Sequence, residues 1–478
     1  MKHHFYILTL CSLLLVLGSA LRAQDVQRFS ERQIIGTARY VGMGGAMTAI
    51  GGDPSAVLDN PAGLGLYRRS ELALTVDETI DQTSQGYATP HHGTPRYTRS
   101  RFAAPHVSAI WAWGNPTKQR GLVYSNLMFS INRLANFNRD VVVNGQNMGM
   151  VETICNITND MGGIAEENLQ NTPWDNEEIG WLSILGYEAY LIDPIENSQW
   201  QPAVQFSEGS LSVSESGNSE QYSLSWAANI SNQWYVGLSL NLPTISYTKH
   251  ISLYEADGVN SAKLRSMYHL SGLGVSGSIG LIYRPIQALR VGASFQTPTM
   301  MALSVQTEGY MYSKVNGQKY DVRTPESGVM STEMMSPLRT SVSVAGQIGS
   351  EGLIAVQYDY AHSADMEDVH TLRAGAEAQV YRGLYINAGY VYESSFMKED
   401  PIWMLGYNEI RTDMDYRYTQ STQYASLGLG YRSDVVVAQL AYQYRWQTLH
   451  QYASEVQPLP IEVGTRTHRI VATLAWRF

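Results

Sequence analysis

"THRIVATLAWRF", residues 467–478, decides the fold. Its side chains alternate: His468, Ile470, Ala472, Leu474, Trp476 and Phe478 share one face, while Arg469, Val471, Thr473, Ala475 and Arg477 share the other. A period of two marks a strand, because successive strand side chains point to opposite faces. Aromatic and aliphatic groups on one side, arginines on the other and a terminal Phe suit a wall with lipid outside and water inside. Ending on an aromatic after such a strand resembles the terminal signature of outer-membrane barrel proteins.

The pattern recurs upstream. In 434–446, Val436, Ala438, Leu440, Tyr442, Tyr444 and Trp446 lie on one face, and Val437, Gln439, Ala441, Gln443 and Arg445 on the other. In 371–380, Leu372, Ala374, Ala376, Ala378 and Val380 would meet lipid, leaving Arg373, Glu377 and Gln379 for the lumen. A charge on the lipid face near the bilayer midplane costs about 2–4 kcal/mol, so charges are assigned inside.

Segments 70–79, 105–113, 121–132, 220–230, 234–254, 263–283, 288–310, 337–348, 352–361, 371–380, 383–393, 422–431, 434–446 and the last one make fourteen strands. The stretch 288–310 is taken as one strand across "QTPT", which keeps the number even. From the second strand on, every other connection is tight ("GNPTKQ", "SNQ", "RPIQ", "GSE", "YR", "RS"), and those between are longer, above all 133–219. Short turns at one end and long loops at the other are barrel topology with both termini periplasmic. A propeller or sandwich would mix its loop lengths. The expected fold is all-β: a transmembrane antiparallel β-barrel of about 14 strands over 70–478 with a long extracellular insertion at 133–219.

Composition agrees. Of 478 residues only 16 % are charged, while Tyr (31), Gly (41) and Trp (10) are plentiful. A net charge of −10 argues against nucleic acid as a partner, which needs a basic face. Residues 1–23 read as a signal peptide: a basic start at Lys2, an apolar run from Phe5 to Leu17 and small residues leading to cleavage after Ala23. Cys11 follows Leu10, which argues against a lipoprotein, and the mature chain keeps only Cys155, so no internal disulfide is expected.

Fourteen strands enclose more space than wall side chains fill. Residues 24–69 are the piece available to plug it. Asp53 is placed to cap a short helix with Pro54 at its first position. Pro61 pushes Asn60 to an extended conformation and starts another turn, which Gly63 and Gly65 let bend. The stretch "TARYVGMGGAMTAIGGDPSAVLDNPAGLG", 37–65, then resembles the N-terminal hatch of the FadL family of outer-membrane transporters, which includes long-chain fatty acid and aromatic hydrocarbon (TodX-type) channels. "LRVGASFQTP" and the long third connection are similar to that family as well.

The resemblance implies a Gram-negative outer-membrane location, surrounding lipid and lipopolysaccharide, and passive, hatch-gated uptake of a hydrophobic or amphiphilic small molecule. It also implies that Asn60, Pro61 and Ala62, flanked by Asp53, Gly63 and Gly65, form a movable plug. The family's side opening depends on an inward kink of the third strand, whereas 121–132 carries no Pro and no Gly beyond its first residue. A second reading comes from FadL-like barrels such as the PorV component of type IX secretion, which bind proteins. The loops 81–104, 313–336 and 397–421 would suit such a partner.

Two groups of residues are candidates for ligand contact. Arg373, Glu377, Gln439, Arg445 and Arg469 face the inferred lumen, where they pair with one another or meet a polar ligand head. "NEEIGWLSILGYEAYLIDP", 176–194, reads as a helix apolar around most of its circumference. It either packs under neighbouring loops or offers Trp181, Leu182, Leu185 and Tyr187 as a capture groove. Catalytic patterns are absent: no GxSxG, Walker A, HExxH or CxxC occurs. His91 and His92 are read as a solvated loop, and no metal, cofactor or enzymatic activity is assigned.

Overall fold

The computed structural model describes residues 28–85, 96–171, 174, 176, 178–325, 328–349, 351–363, 367–395, 409–456 and 461–478. The leader 1–23 and the His91–His92 pair lie outside them. Fourteen antiparallel strands close into a barrel. They are β1 (Glu71–Gln85), β2 (Arg96–Gly114), β3 (Leu122–Asn136, continued by Arg139–Gly145), β4 (Glu208–Ile230), β5 (Trp234–Ala256), β6 (Ser261–Ile286) and β7 (Leu289–Gln296 with Met300–Val315). Then follow β8 (Gly328–Met335 with Leu338–Ile348), β9 (Gly352–His362), β10 (Val369–Tyr381), β11 (Leu384–Glu393), β12 (Tyr416–Arg432), β13 (Val436–Tyr452) and β14 (Ile461–Arg477). The last strand pairs with the first from Glu71↔Arg477 to Gln85↔Val463, which leaves no free sheet edge there.

Alternation explains the closure. Leu474 and Trp476 are more than half exposed, whereas Val471 and Ala475 on the opposite face are buried. Leu224, Leu240, Leu273 and Ile279 continue the exposed apolar belt on β4, β5 and β6. A belt of this extent is far larger than the surface patches of soluble monomers and marks a lipid-facing wall. Trp234 stacks on Tyr283 at 4.1 Å beside a tight turn, and Trp476 lies 5.0 Å from Phe478, placing amphipathic rings at the same end.

The strand β7 is a single, interrupted one. Both parts pair with β6 (Gln296↔Ser278 and Met300↔Val275), and Thr297 N–H donates to Gly277 O at 2.9 Å across the gap. β8 is interrupted likewise before Pro337, so the segment 337–348 is only its lower part. The hairpin strand Gln318–Arg323 folds back on β7.

The insertion at 133–219 needs correction. Its first residues continue β3, and Glu208 to Ser219 belong to β4, because β4, β5 and β6 run for 23, 23 and 26 residues. A strand needs roughly 9–11 residues to cross a bilayer, so these three rise well above it. The described residues of 146–207 form a cap at the long-loop end of the barrel, with α2 (Met150–Asn159), α3 (Glu166–Asn171) and α4 (Trp181–Glu188). The helix read over 176–194 is therefore shorter: Gly180 caps α4, and Ile192–Pro194 leaves it to pair with Trp200–Pro202.

Candidate functional site

The plug occupies the lumen. It contains α1 (Ala38–Gly42) and two 3₁₀ turns, Ser55–Leu58 and Pro61–Leu66. Asp53 is buried and organises the fold locally: its carboxylate accepts from Thr37 Oγ1 at 2.7 and 2.8 Å and from Ser55 N–H at 2.9 Å. Asn60 is extended (φ −143°) and fully buried, with Oδ1 accepting from Ala62 N–H at 2.9 Å. Its Nδ2 donates to Thr48 O at 2.8 Å within the plug and to Leu281 O of β6 at 3.2 Å. One amide thus fastens the Asn60-Pro61-Ala62 turn to the wall. Gly63 packs against Gly51, and Gly65 approaches Ala228 O closely. Leu64, Ala62 and Val57 complete small apolar contacts with Met128, Tyr235 and Ile282, near the tight-turn end of the barrel.

The wall carries glycines where the plug touches it. A methyl group at Gly280 would overlap Asn60 Oδ1, one at Gly237 would overlap Pro61, and one at Gly389 would overlap Gly44. Strand glycines commonly mark the close approach of another backbone, and that was the available sequence signal for these seats.

The polar residues expected in the lumen mostly grip the plug. Arg39 of α1 forms a two-point ion pair with Glu377 (2.8 and 3.0 Å), and Arg432 reaches the same carboxylate at 2.6 Å. Arg373 bridges Asp59 at 3.1 Å and Asp359 at 2.7 Å. Tyr40 donates to Asp59 at 2.7 Å; burial, then the neighbouring carboxylate, raises its phenol above the ordinary range and keeps it a donor. Arg469 donates to Ile34 O at 3.2 Å and pairs with Asp77 at 3.3 Å, while Arg445 meets Glu31 at 2.6 Å. Gln439 lies half-buried beside Gly430.

Above the plug, the capture candidates sit in a core. Trp181, Leu182 and Leu185 are buried with Met150, Ile154 and Ile184, and that core continues into Leu211, Leu253, Leu264 and Val463 of the upper barrel. Trp181 Nε1 donates to Trp174 O at 2.9 Å, and the Trp181 backbone N–H to Glu409 O at 3.0 Å. Tyr187 packs edge-on against Trp200 and donates to Glu166 at 3.2 Å. The cap is tied down by Glu255, whose carboxylate accepts from Met148 and Met150 N–H at 2.7 and 3.2 Å. The apolar helix is covered.

The barrel wall also has a seam that sequence reasoning missed. β2 and β3 pair only from Gly114↔Tyr124 to His106↔Asn132. Beyond that, β2 pairs with β1 alone, and the third strand leans toward the plug: Gln33 N–H donates to Leu134 O at 2.9 Å and Gln33 Nε2 to Asn136 O at 3.1 Å. The bend falls at a register shift between Arg133 and Ala135 and at the break before Arg139, beyond residues 121–132. Arg99 spans the seam to Asp140 at 3.6 Å, and Arg101 reaches Asn136.

A bent third strand beside a plugged lumen is the decisive arrangement. The fold is that of FadL and TodX. A Pseudomonas aeruginosa FadL homologue covers 94 % of this chain and 99 % of its own at 11 % identity, with a TM-score of 0.56. The Pseudomonas putida toluene transporter TodX covers 94 % and 100 % at 12 % identity (TM-score 0.55), and the Ralstonia pickettii toluene transporter TbuX covers 93 % and 99 % at 14 % identity (TM-score 0.52). No family model matches the chain, and no curated protein matches it by sequence. The FadL and TodX likeness thus lies in backbone architecture, over 93–94 % of the chain.

Proposed function

We propose that the protein is an outer-membrane channel for passive uptake of hydrophobic or amphiphilic small molecules, gated by movement of the plug. One observation carries this reading. The closed barrel is stoppered by a segment held through hydrogen bonds and ion pairs that water can replace, in the fold of proteins described as toluene transporters. Ligand that competes for the Asn60–Gly65 turn would shift the plug population toward a displaced state, with no energy source beyond the gradient. The β2–β3 seam offers a route from lumen to bilayer once Arg99 and Arg101 let go. The polar plug contacts favour an amphiphile over a purely apolar molecule, since displaced charges need solvation.

The test has two parts. Mass spectrometry of gently purified protein should reveal a retained hydrophobic or amphiphilic molecule. Proteoliposomes should take up labelled toluene or decanoate faster than empty vesicles, with loss of amide-exchange protection over 37–66 on addition of ligand. A stoichiometric protein partner, no retained small molecule and no uptake would overturn the channel reading in favour of the secretion-type role.

A further inference from the structure

A second feature of the lumen lies beside the first residues of the plug. Where the third strand breaks, Arg139 enters a cavity of about 50 Å³ that Arg28, Arg417, Arg445 and Thr465 also line, together with two carboxylates that have partners of their own, Glu31 on Arg445 and Asp81 on the Thr467 hydroxyl. At about 10–15 Å³ per water, this volume holds a few waters or one oxyanion group. At its edge Glu215, itself buried, accepts from Tyr247 at 2.6 Å and meets Arg139 at 2.5 Å, Arg417 at 2.9 Å and Arg28 at 3.3 Å. Setting Arg28 aside, two guanidiniums still share one carboxylate.

The unmatched atoms around the cavity are donors. Arg139 is 7 % exposed, yet neither its Nη1 nor its Nη2 has a hydrogen-bond partner. Arg445 Nε, Asn136 Nδ2 and the Thr465 hydroxyl are also buried without one. A guanidinium and an amide nitrogen can only donate, so what would satisfy them is an acceptor with several lone pairs. Arg139 has Glu215 as its counter-charge, but leaving buried N–H donors without an acceptor is still costly, and a planar or tetrahedral oxyanion meets a guanidinium fork with two parallel bonds.

The geometry points to an oxyanion-binding site in this cavity, taking one phosphate, sulfate or carboxylate group on Arg139 and Arg417, with Asn136 and Thr465 as supplementary donors. The group arrives either as a free anion or as the head of an amphiphile; the chemistry at the arginines is the same. The site does not depend on hydrocarbon passage, and failure of toluene uptake would leave it standing.

Calorimetric titration of the full-length protein in nonionic detergent tests it, with inorganic phosphate and dodecyl phosphate as probes. At least one should bind, and Arg139→Gln should weaken that binding tenfold or more while the barrel keeps its heat-modifiable mobility on gels. Arg417→Gln is the second variant, should the first fold poorly. Equal binding of both probes identifies a free-anion site, and binding of dodecyl phosphate alone identifies a headgroup site; either supports the assignment if the arginine variants lose it. Binding of neither probe, or unchanged binding in both variants, overturns it.

Discussion

Plug and cap both pack against the same cylinder, yet different physics holds each. The cap is fixed by a dry core in which Leu185, Ile184 and Ile154 are fully enclosed. The plug has a smaller apolar cluster and leans on charges: Arg39, Glu377 and Arg432 on one side, Asp59, Arg373 and Asp359 on another. A dry core opens only at the cost of wetting apolar surface, whereas ion pairs can trade partners with water or a ligand head. The difference bears on the proposed gating: the plug is held by the kind of contact a ligand can replace, and the cap by the kind that suits a scaffold.

The strongest way to break this contrast is Leu185→Asp. An unpaired carboxylate in the cap core should cost more than about 4 kcal/mol and open the cap. Limited proteolysis should then cut within 146–207 while plug segment 37–66 stays protected. Simultaneous loss of plug protection would show that the two regions are one unit. Next in size is Glu377→Ala, which leaves Arg39 and Arg432 facing each other. Breaking a buried pair costs about 3–5 kcal/mol, so plug amides should exchange faster and vesicle permeability should rise, with the cap unaffected.

How much of this was legible in the sequence depends on whether the signal was periodic. Residues 436–446 and 467–478 alternate without interruption, so wall, facing and strand number follow from one rule; β10 likewise turned Arg373 and Glu377 inward. The plug was legible through turn chemistry, because Asp53, Pro54, Asn60 and Pro61 act within a few residues of themselves. What the long connection became was not. Glu208–Ser219 is a Ser-rich run whose strand character comes from pairing with β5, and α4 is a helix only between a glycine cap and a chain reversal. Nor could the seam be found by looking for Pro or Gly, since the third strand is bent by hydrogen bonds from Gln33, a residue about a hundred positions away. The partners of the lumen charges are equally remote in sequence: Arg373 to Asp59 spans more than three hundred residues.

A smaller effect should come from crowding a wall seat. Gly280→Val inserts atoms where Asn60 Oδ1 and Pro61 lie. Overpacking of this sort costs about 1–3 kcal/mol, and it should fall on the plug because the strand backbone is held by β5 and β7. Faster exchange at 59–66 with an unchanged barrel melting temperature is the expected result. A lowered barrel stability with an unmoved plug would mean that the wall, not the plug, is the softer element.

The mildest probe leaves the sequence intact. Cys155 sits on α2 in the cap core, 4 % exposed, and burial, then Glu152 and Asp193, pushes its thiol up to about 12. The thiolate is the reactive form, so the native cap should resist a maleimide at pH 8 for as long as it stays closed. The sign of the linkage is fixed. A folded-state value above the unfolded one means that the native cap favours the protonated thiol, so this contribution to stability is complete below about pH 9 and fades as pH rises toward about 12. Labelling measured from pH 7 to 11 should therefore stay slow at the lower end and accelerate steeply above pH 9, with Leu185→Asp reactive throughout. Ligand that moves the plug alone should leave the pH 8 rate unchanged. A ligand-induced burst of labelling at Cys155 would place the moving part in the cap and reverse the assignment of gate and scaffold.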